Sequence, residues 1–384
     1  MSKDLFREPN ALEDILIKRE KGPRRLWNTL PEDSVLRDKI SGALWGRMIG
    51  CILGSPVELK SIEQMRHWSE KIGQAFPPVD YWVKVEEPET RNFYRAYRYE
   101  YEKENMKKVP VDDDIIYTQL ALLILEAFGP EFTTADVGKA WLDYLPLACT
   151  AEEAALNNLK KGIAAEQAAE VDNPYQEWIG AAIRSDGFAY AAPGYPEKAA
   201  AMAYRDAFLS HRQNGIYGEM FLAAAQSAAF AVSDPMEAVR IGLTEIPQES
   251  ALYEDITWAL EMTSHVTNYS HARSLVDRRF EGMNPVHTNN NMCLVVFGLR
   301  LSGGDIVKGL SEIVAMGLDN DCTAASAGSI LGALCGKSKI PPYLYERFND
   351  TVDTYLNKTD SFKATDMTER FLKIAKGIYG SNKE

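Results

Sequence analysis

Apolar residues recur along this chain at helical spacing, and residues that favour helix starts stand in front of them. Ile306, Leu310, Ile313 and Val314 form one stripe, the pattern of a helix that buries a single face. Asp305, immediately before the stripe, is placed to cap it. Asp234-Pro235 opens a second segment in the same way, since Pro suits the first helical position. Thr134 precedes ADVGKAWLDYL, and Thr150-Ala151-Glu152-Glu153 has the form of a capping box before AALNNLKKGIAA. Strand-like alternation is scarce, and no Asn-Gly or Asp-Gly pair sits between alternating runs. The pattern predicts an all-α protein.

Two glycine ladders interrupt the apolar segments. Gly42, Gly46, Gly50 and Gly54 recur every four residues, as do Gly328, Gly332 and Gly336. On a helix this spacing keeps them near one face, where another backbone can approach closely. Each glycine costs about 1 kcal/mol of helix propensity relative to Ala, so close helix–helix packing, or backbone approach to a ligand, must compensate.

Residues 1–35 carry few apolar positions in phase and read as an N-terminal arm. Residues 36–380 read as one helical domain. Within it, residues 76–110 are rich in Tyr, Arg and Glu and poor in aliphatics, and are predicted to lie outside the core. They form either a solvated, partly helical insertion or a lid, in which Tyr97 and Arg98 would stack on a base or hold phosphate.

Apolar content of 46% and charged content of 25% are ordinary for a soluble globular protein. The net charge of −13 argues against a general binder of nucleic acid or anionic membrane. The five cysteines are scattered without a CxxC and read as free thiols. The stretch MSKDLFREPNALEDILIKRE lacks the apolar core of a signal peptide, and no segment approaches the ~20 apolar residues of a membrane span. A cytoplasmic protein is expected.

Candidate chemistry centres on two acidic clusters. Asp112-Asp113-Asp114 opens the apolar run IIYTQLALLILEAF, and Asp319-Asn320-Asp321-Cys322 opens TAASAGSILGAL. Acids suit the positive end of a helix, and one Asp at each place is explained as a cap. Three in succession exceed that need. If folding joins the clusters, their carboxylates repel unless protonated or bridged by cations, and one or two hard divalent ions, Mg2+ or Mn2+, fit such a site. Elsewhere, His211, Asn214 and Tyr217 form a polar turn before an apolar helix, a place for substrate contacts or for structural bonds. Asn290 lies in the polar run His287–Asn291, and would either satisfy backbone groups or hold substrate hydroxyls. The chain has no HExxH, P-loop or GxSxG motif.

In three ordered motifs the chain resembles the ADP-ribosylglycohydrolase family. GALWGRMIGCILGSPVE is similar to that family's opening glycine-rich helix, DDDIIYTQLAL to its Thr-Asp-Asp-Thr segment, and GLDNDCTAASAGSILGAL to its closing Asp-x-Asp-Thr motif. The resemblance implies a compact orthogonal multi-helix bundle around a central site for two Mg2+ or Mn2+ ions. It also implies cleavage at the anomeric carbon of a small-molecule or ADP-ribosylated substrate; a nucleoside or other small N-riboside, or a catalytically silent relative, are the alternatives. By position it makes Asp113, Asp114, Asp319 and Asp321 metal ligands, with Asp112 and Cys322 standing at ligand positions usually held by Thr. Glu58, Asp112 and Asp113 become the candidate catalytic groups, with Glu58 or Asp112 taking a proton from water. Cys51 stands where the family often has Asp.

Overall fold

Helix starts in the structure follow capping chemistry more closely than they follow the expected residue. The computed structural model describes residues 5–92 and 96–380. Among them are sixteen α-helices: α1 (Leu12–Lys18), α2 (Asp33–Gly54), α3 (Ile62–Ile72), α4 (Asp113–Phe128), α5 (Thr134–Tyr144), α6 (Thr150–Lys160), α7 (Asp186–Ala191) and α8 (Pro196–Ala207). There follow α9 (Asn214–Ala229), α10 (Pro235–Leu243), α11 (Ala251–Met262), α12 (Tyr269–Arg279), α13 (Thr288–Ser302), α14 (Ile306–Met316), α15 (Asn320–Cys335) and α16 (Ala364–Gly380). Strands β1 (Thr351–Asp353) and β2 (Ser361–Lys363) form one antiparallel pair. The all-α reading holds.

Asp234 and Asp305 cap α10 and α14 as expected. Two caps shift. Thr133, not Thr134, opens α5, because its hydroxyl and the Asp136 carboxylate bond each other's backbone N–H groups. At α6, Thr150 is already helical, and Cys149 stands at the cap without a side-chain bond. Glu152, in the same first turn, is drawn inward to Arg184.

The arm and the aromatic segment are more integrated than their composition suggests. α2 begins at Asp33, so residues 33–35 belong to that helix. Ile15 is fully buried, and Arg19 and Arg24 both pair with the buried Glu245. In residues 76–110, Tyr81, Trp82 and Tyr101 are buried rather than solvated. Each aromatic body packs inside while its polar tip finds a carbonyl. Tyr81 donates to Leu344 O at 2.7 Å, Trp82 Nε1 to Leu53 O at 2.9 Å and Tyr101 to Val111 O at 2.5 Å. Regular helix among the described residues here is a 3-10 turn at Arg98–Tyr101.

The centre of the fold is an antiparallel contact between α2 and α15, in which the two glycine ladders face each other. A Cβ at Gly42 would strike Gly332 O, one at Gly46 would strike Gly328 O, one at Gly50 would strike Ala324 O, and one at Gly54 would meet Asp321 Cα at 2.5 Å. The ladders are therefore packing devices, and the register steps by four residues on each helix. Backbones this close exchange many weak attractions, which offset the poor propensity of glycine. Gly46→Ala or Gly328→Ala is expected to lower stability by about 1–3 kcal/mol through overpacking. Gly377→Ala, where an added Cβ meets nothing within 4 Å, is expected to be neutral or stabilising by up to about 1 kcal/mol. Chemical denaturation checks the contrast, and equal effects at the two kinds of position would contradict the zipper.

Candidate metal centre

Three successive aspartates at a helix start cannot share one direction, because helical residues diverge by about 100° each. Asp112 is the N-cap of α4: its Oδ1 accepts from Asp114 N at 3.2 Å and its Oδ2 from Ser55 Oγ at 2.9 Å. Asp113 turns into a cavity. Asp114 points inward, where Oδ1 meets Arg47 Nη2 at 2.9 Å and Oδ2 accepts from Cys322 Sγ at 3.2 Å. Arg47 also binds Asp186 Oδ2 at 2.7 Å.

The second cluster is aimed by the backbone. Gly317 and Leu318 both take positive φ, +71° and +60°, a sharp turn that is costly for leucine. Leu59, beside Glu58, also has positive φ, and its N–H donates to Leu318 O at 2.9 Å. This bond ties the Glu58 segment to the Asp319 turn, and Asp319 N donates to Asn291 Oδ1 at 3.3 Å.

Folding thus joins the two acidic clusters. Three triads have ligand atoms within 4.8 Å of one another: Cys51–Asp112–Asp114, Asp114–Asp321–Cys322 and Glu58–Asp319–Asp321. Asp113 belongs to none of them and lies beside them in the cavity. That cavity, of about 270 Å³, is floored by Glu58, Asp113, Asp319, Asp321 and Cys322. Its walls carry Asn92, Tyr117, Glu152, Trp178, Ile179 and Val286.

Burial and mutual repulsion dominate the electrostatics. Burial first, then the charges of Asp319, Asp112 and Asp114, push the Glu58 carboxyl up to about 8, with Arg98 opposing, although Glu58 itself opens to water through the cavity. Burial and neighbouring acids push Asp113 and Asp321 well above the usual carboxylate range. Asp112, Asp114 and Asp319 are raised for the same first reason. Asp319 Oδ1 and Asp321 Oδ1 are buried with no hydrogen-bond partner. Both residues belong to a triad whose ligand atoms lie within 4.8 Å of one another, and buried orphan carboxylate oxygens are what a divalent cation satisfies, so the residues present fit such an ion. Asp112 shares a triad with Cys51 and Asp114, and both its oxygens also accept hydrogen bonds.

Most of the expected substrate contacts lie elsewhere. His211 is fully buried, with Nε2 accepting from Ala181 N at 3.3 Å and Nδ1 bonded to Ser210 Oγ. Asn214 donates to Glu8 and Glu177, and Tyr217 donates to Pro9 O. These residues clasp the arm instead of lining the cavity. Asn290 donates to Asn284 O and accepts from Asn291 N, taking the structural option. Tyr97 stacks on Tyr99, and Arg98 donates to Pro56 O. Neither lines the cavity, although Asn92 of the same segment does; residues 93–95 lie outside the described residues.

Glu152, Trp178 and Arg47 were not anticipated. Arg47 carried a signal, as a charge in the middle of an apolar helix. Glu152 and Trp178 carried none, since their roles come from non-local packing: Arg184 gathers Glu152, Asp206 and Glu219 into one buried ion-pair group beneath the cavity wall.

The raised carboxyls set a pH dependence. The folded, cation-free protein holds these protons more tightly than the unfolded chain does. The stabilisation this gives is complete below the ordinary glutamate value of 4.5 and fades as pH rises through about 8. In chelator, the melting temperature is expected to fall between those pH values. Mn2+ or Mg2+ should bind more tightly as pH rises, releasing protons measurable by calorimetry in buffers of different ionisation heat. A cation affinity independent of pH would contradict the assignment.

The sequence matches the family model described as ADP-ribosylglycohydrolase over residues 32–377. A solved structure, an ADP-ribosylglycohydrolase-related protein complex, superposes with a TM-score of 0.52 at 17% identity, covering 89% of this chain and 99% of that one. No curated protein matches the chain. Among the described residues no helix is long and apolar enough to cross a membrane. With three family motifs folded into one acid-floored cavity and the family model spanning α2 through most of α16, the chain belongs to the ADP-ribosylglycohydrolase family.

Proposed function

We propose that this protein hydrolyses the bond at the anomeric carbon of an ADP-ribosyl or related riboside substrate, using two Mg2+ or Mn2+ ions. The observation that carries the reading is the pair of orphaned, buried oxygens, Asp319 Oδ1 and Asp321 Oδ1, in the floor of the cavity. Asp114, Asp319, Asp321, Glu58 and Cys322 would hold the ions. A divalent cation in this position supplies Lewis acidity, lowering the pKa of water and countering charge on ribose hydroxyls.

The chain's own residues do the rest. Glu58, which opens to water through the cavity, is suited to take a proton from the attacking water. Asp113 faces the cavity from the start of α4, where a carboxylate favours positive charge developing at the anomeric carbon. Trp178 and Tyr117 offer ring faces to a base or a flat leaving group. Glu152, oriented by Arg184, presents a further acid to that wall.

A second substrate reading has its own support. No Lys, Arg or His is among the described residues lining the cavity. A nucleoside or other small N-riboside matches that lining better than a full ADP-ribosyl group. The partner in either reading is a small-molecule or ADP-ribosylated substrate, not nucleic acid or membrane.

Thermal-shift titration with Mg2+ and Mn2+, with and without ADP-ribose, tests the proposal. Saturating cation, at about 100 times its Kd, should stabilise the folded state by about 2.7 kcal/mol. Asp321→Asn should lose the shift, and Asp113→Asn should lower kcat about 100-fold or more while keeping it. An Asp321→Asn protein with full cation-dependent turnover would refute the site. Trp178→Ala is expected to raise KM about 10-fold with little change in kcat, by loss of stacking. Steady-state kinetics on ADP-ribosyl-arginine and on free nucleosides would read both the Trp178 effect and the substrate class.

A further inference from the structure

The three triads differ in whether their donors are already engaged. In the innermost, Asp112 has both oxygens occupied by Ser55 Oγ and Asp114 N, at 2.9 and 3.2 Å. Cys51 there is fully buried. This triad is closed in the sense that none of its oxygens lacks a hydrogen-bond or ion-pair partner. The other two share Asp321, which is only 3% exposed and keeps Oδ1 unpartnered. Asp319, also 3% exposed, keeps Oδ1 unpartnered in the outer one.

We infer that the centre contains two chemically unequal cation positions bridged by Asp321: an all-oxygen position from Glu58, Asp319 and Asp321, and a sulfur-bearing position from Asp114, Asp321 and Cys322. The inference rests on the metal-dependent reading above and adds which ions each position takes. Cys322 Sγ donates to Asp114 Oδ2 at 3.2 Å, so both donors already face the same point. Coordination releases the thiol proton to solvent and turns sulfur and oxygen onto one ion. Carboxylate oxygen alone suits Mg2+ and Mn2+, whereas thiolate shifts preference towards borderline ions such as Co2+ and Zn2+. The sulfur-bearing position therefore favours a borderline transition metal, and Mg2+ binds better at the all-oxygen one.

Cobalt substitution tests this without reference to turnover. Co2+ titrated into the full-length, chelator-stripped protein should produce near-ultraviolet sulfur-to-cobalt charge-transfer absorption. The band should persist in Cys51→Ser, whose triad is closed, and in Cys149→Ser, which removes the other thiol lining the cavity. Cys322→Thr and Cys322→Ser should abolish the band, and the preference for Zn2+ over Mg2+ should drop about tenfold. Co2+ binding without the band in the unsubstituted protein, or a band that survives loss of Cys322, overturns the inference and leaves the hydrolase reading standing. Failure of every divalent cation to bind overturns both.

Discussion

The close antiparallel contact of α2 and α15 is the constraint on which the rest of this structure depends. Its register is set by glycine meeting backbone at Gly42–Gly332, Gly46–Gly328 and Gly50–Ala324, and it ends where Gly54 packs on Asp321. That last step joins structure to chemistry. The chain leaves α2 at Gly54 and reaches Glu58 four residues later. Because the contact fixes where α2 ends relative to the start of α15, it also fixes Glu58 relative to Asp319 and Asp321. Side chains at the glycine positions would separate the helices and with them the carboxylates.

A site this acidic is costly to bury, and the fold offsets the cost with arginines placed behind it. Arg47 projects from the middle of α2 and holds Asp114 and Asp186 together. Arg184 gathers Glu152, Asp206 and Glu219 from three helices and lies over the rings of Tyr117 and Trp141. Removing one partner from such a group leaves a buried charge unpaired, which is worse than never having the pair. Glu58, Asp113, Asp319 and Asp321, which also line the cavity, make no such ion pair among the described residues. Their raised proton affinities and orphaned oxygens are the electrostatic strain that a bound divalent ion relieves.

The departures from the family pattern take on distinct meanings in this setting. Asp112, at a position usually held by Thr, caps α4 and accepts from Ser55, a structural role that a hydroxyl would fill in part. Cys322 lies against Asp114 at the floor of the cavity, and Cys51 lies behind it. The N-terminal arm gives a purpose to residues that looked functional in isolation. Asn214 and Tyr217 bind Glu8 and Pro9, and His211 supports the backbone at Ala181. Asn214 also donates to Glu177, next to Trp178, so the arm is linked to the cavity wall by one intermediate residue.

By itself the sequence determined the helical class, the facing of the glycines and the presence of two acidic clusters at helix starts. All three follow from local chemistry: period, propensity and capping act within a few residues and need no knowledge of the remainder. Asp234 and Asp305 could be placed because their caps are local, while the start expected at Thr134 moved to Thr133, whose hydroxyl and the Asp136 carboxylate bond the free N–H groups, and Thr150 became the first residue of α6 behind a Cys149 that makes no cap bond. Tertiary structure alone decided which of Asp112, Asp113 and Asp114 faces inward, since three adjacent side chains diverge and only their surroundings distinguish them. It likewise drew Glu152 and Trp178 to the cavity, and it buried the rings of Tyr81, Trp82 and Tyr101, whose polar tips found carbonyls. Contacts between residues far apart in the chain leave no periodic trace, and the cavity is built from such contacts.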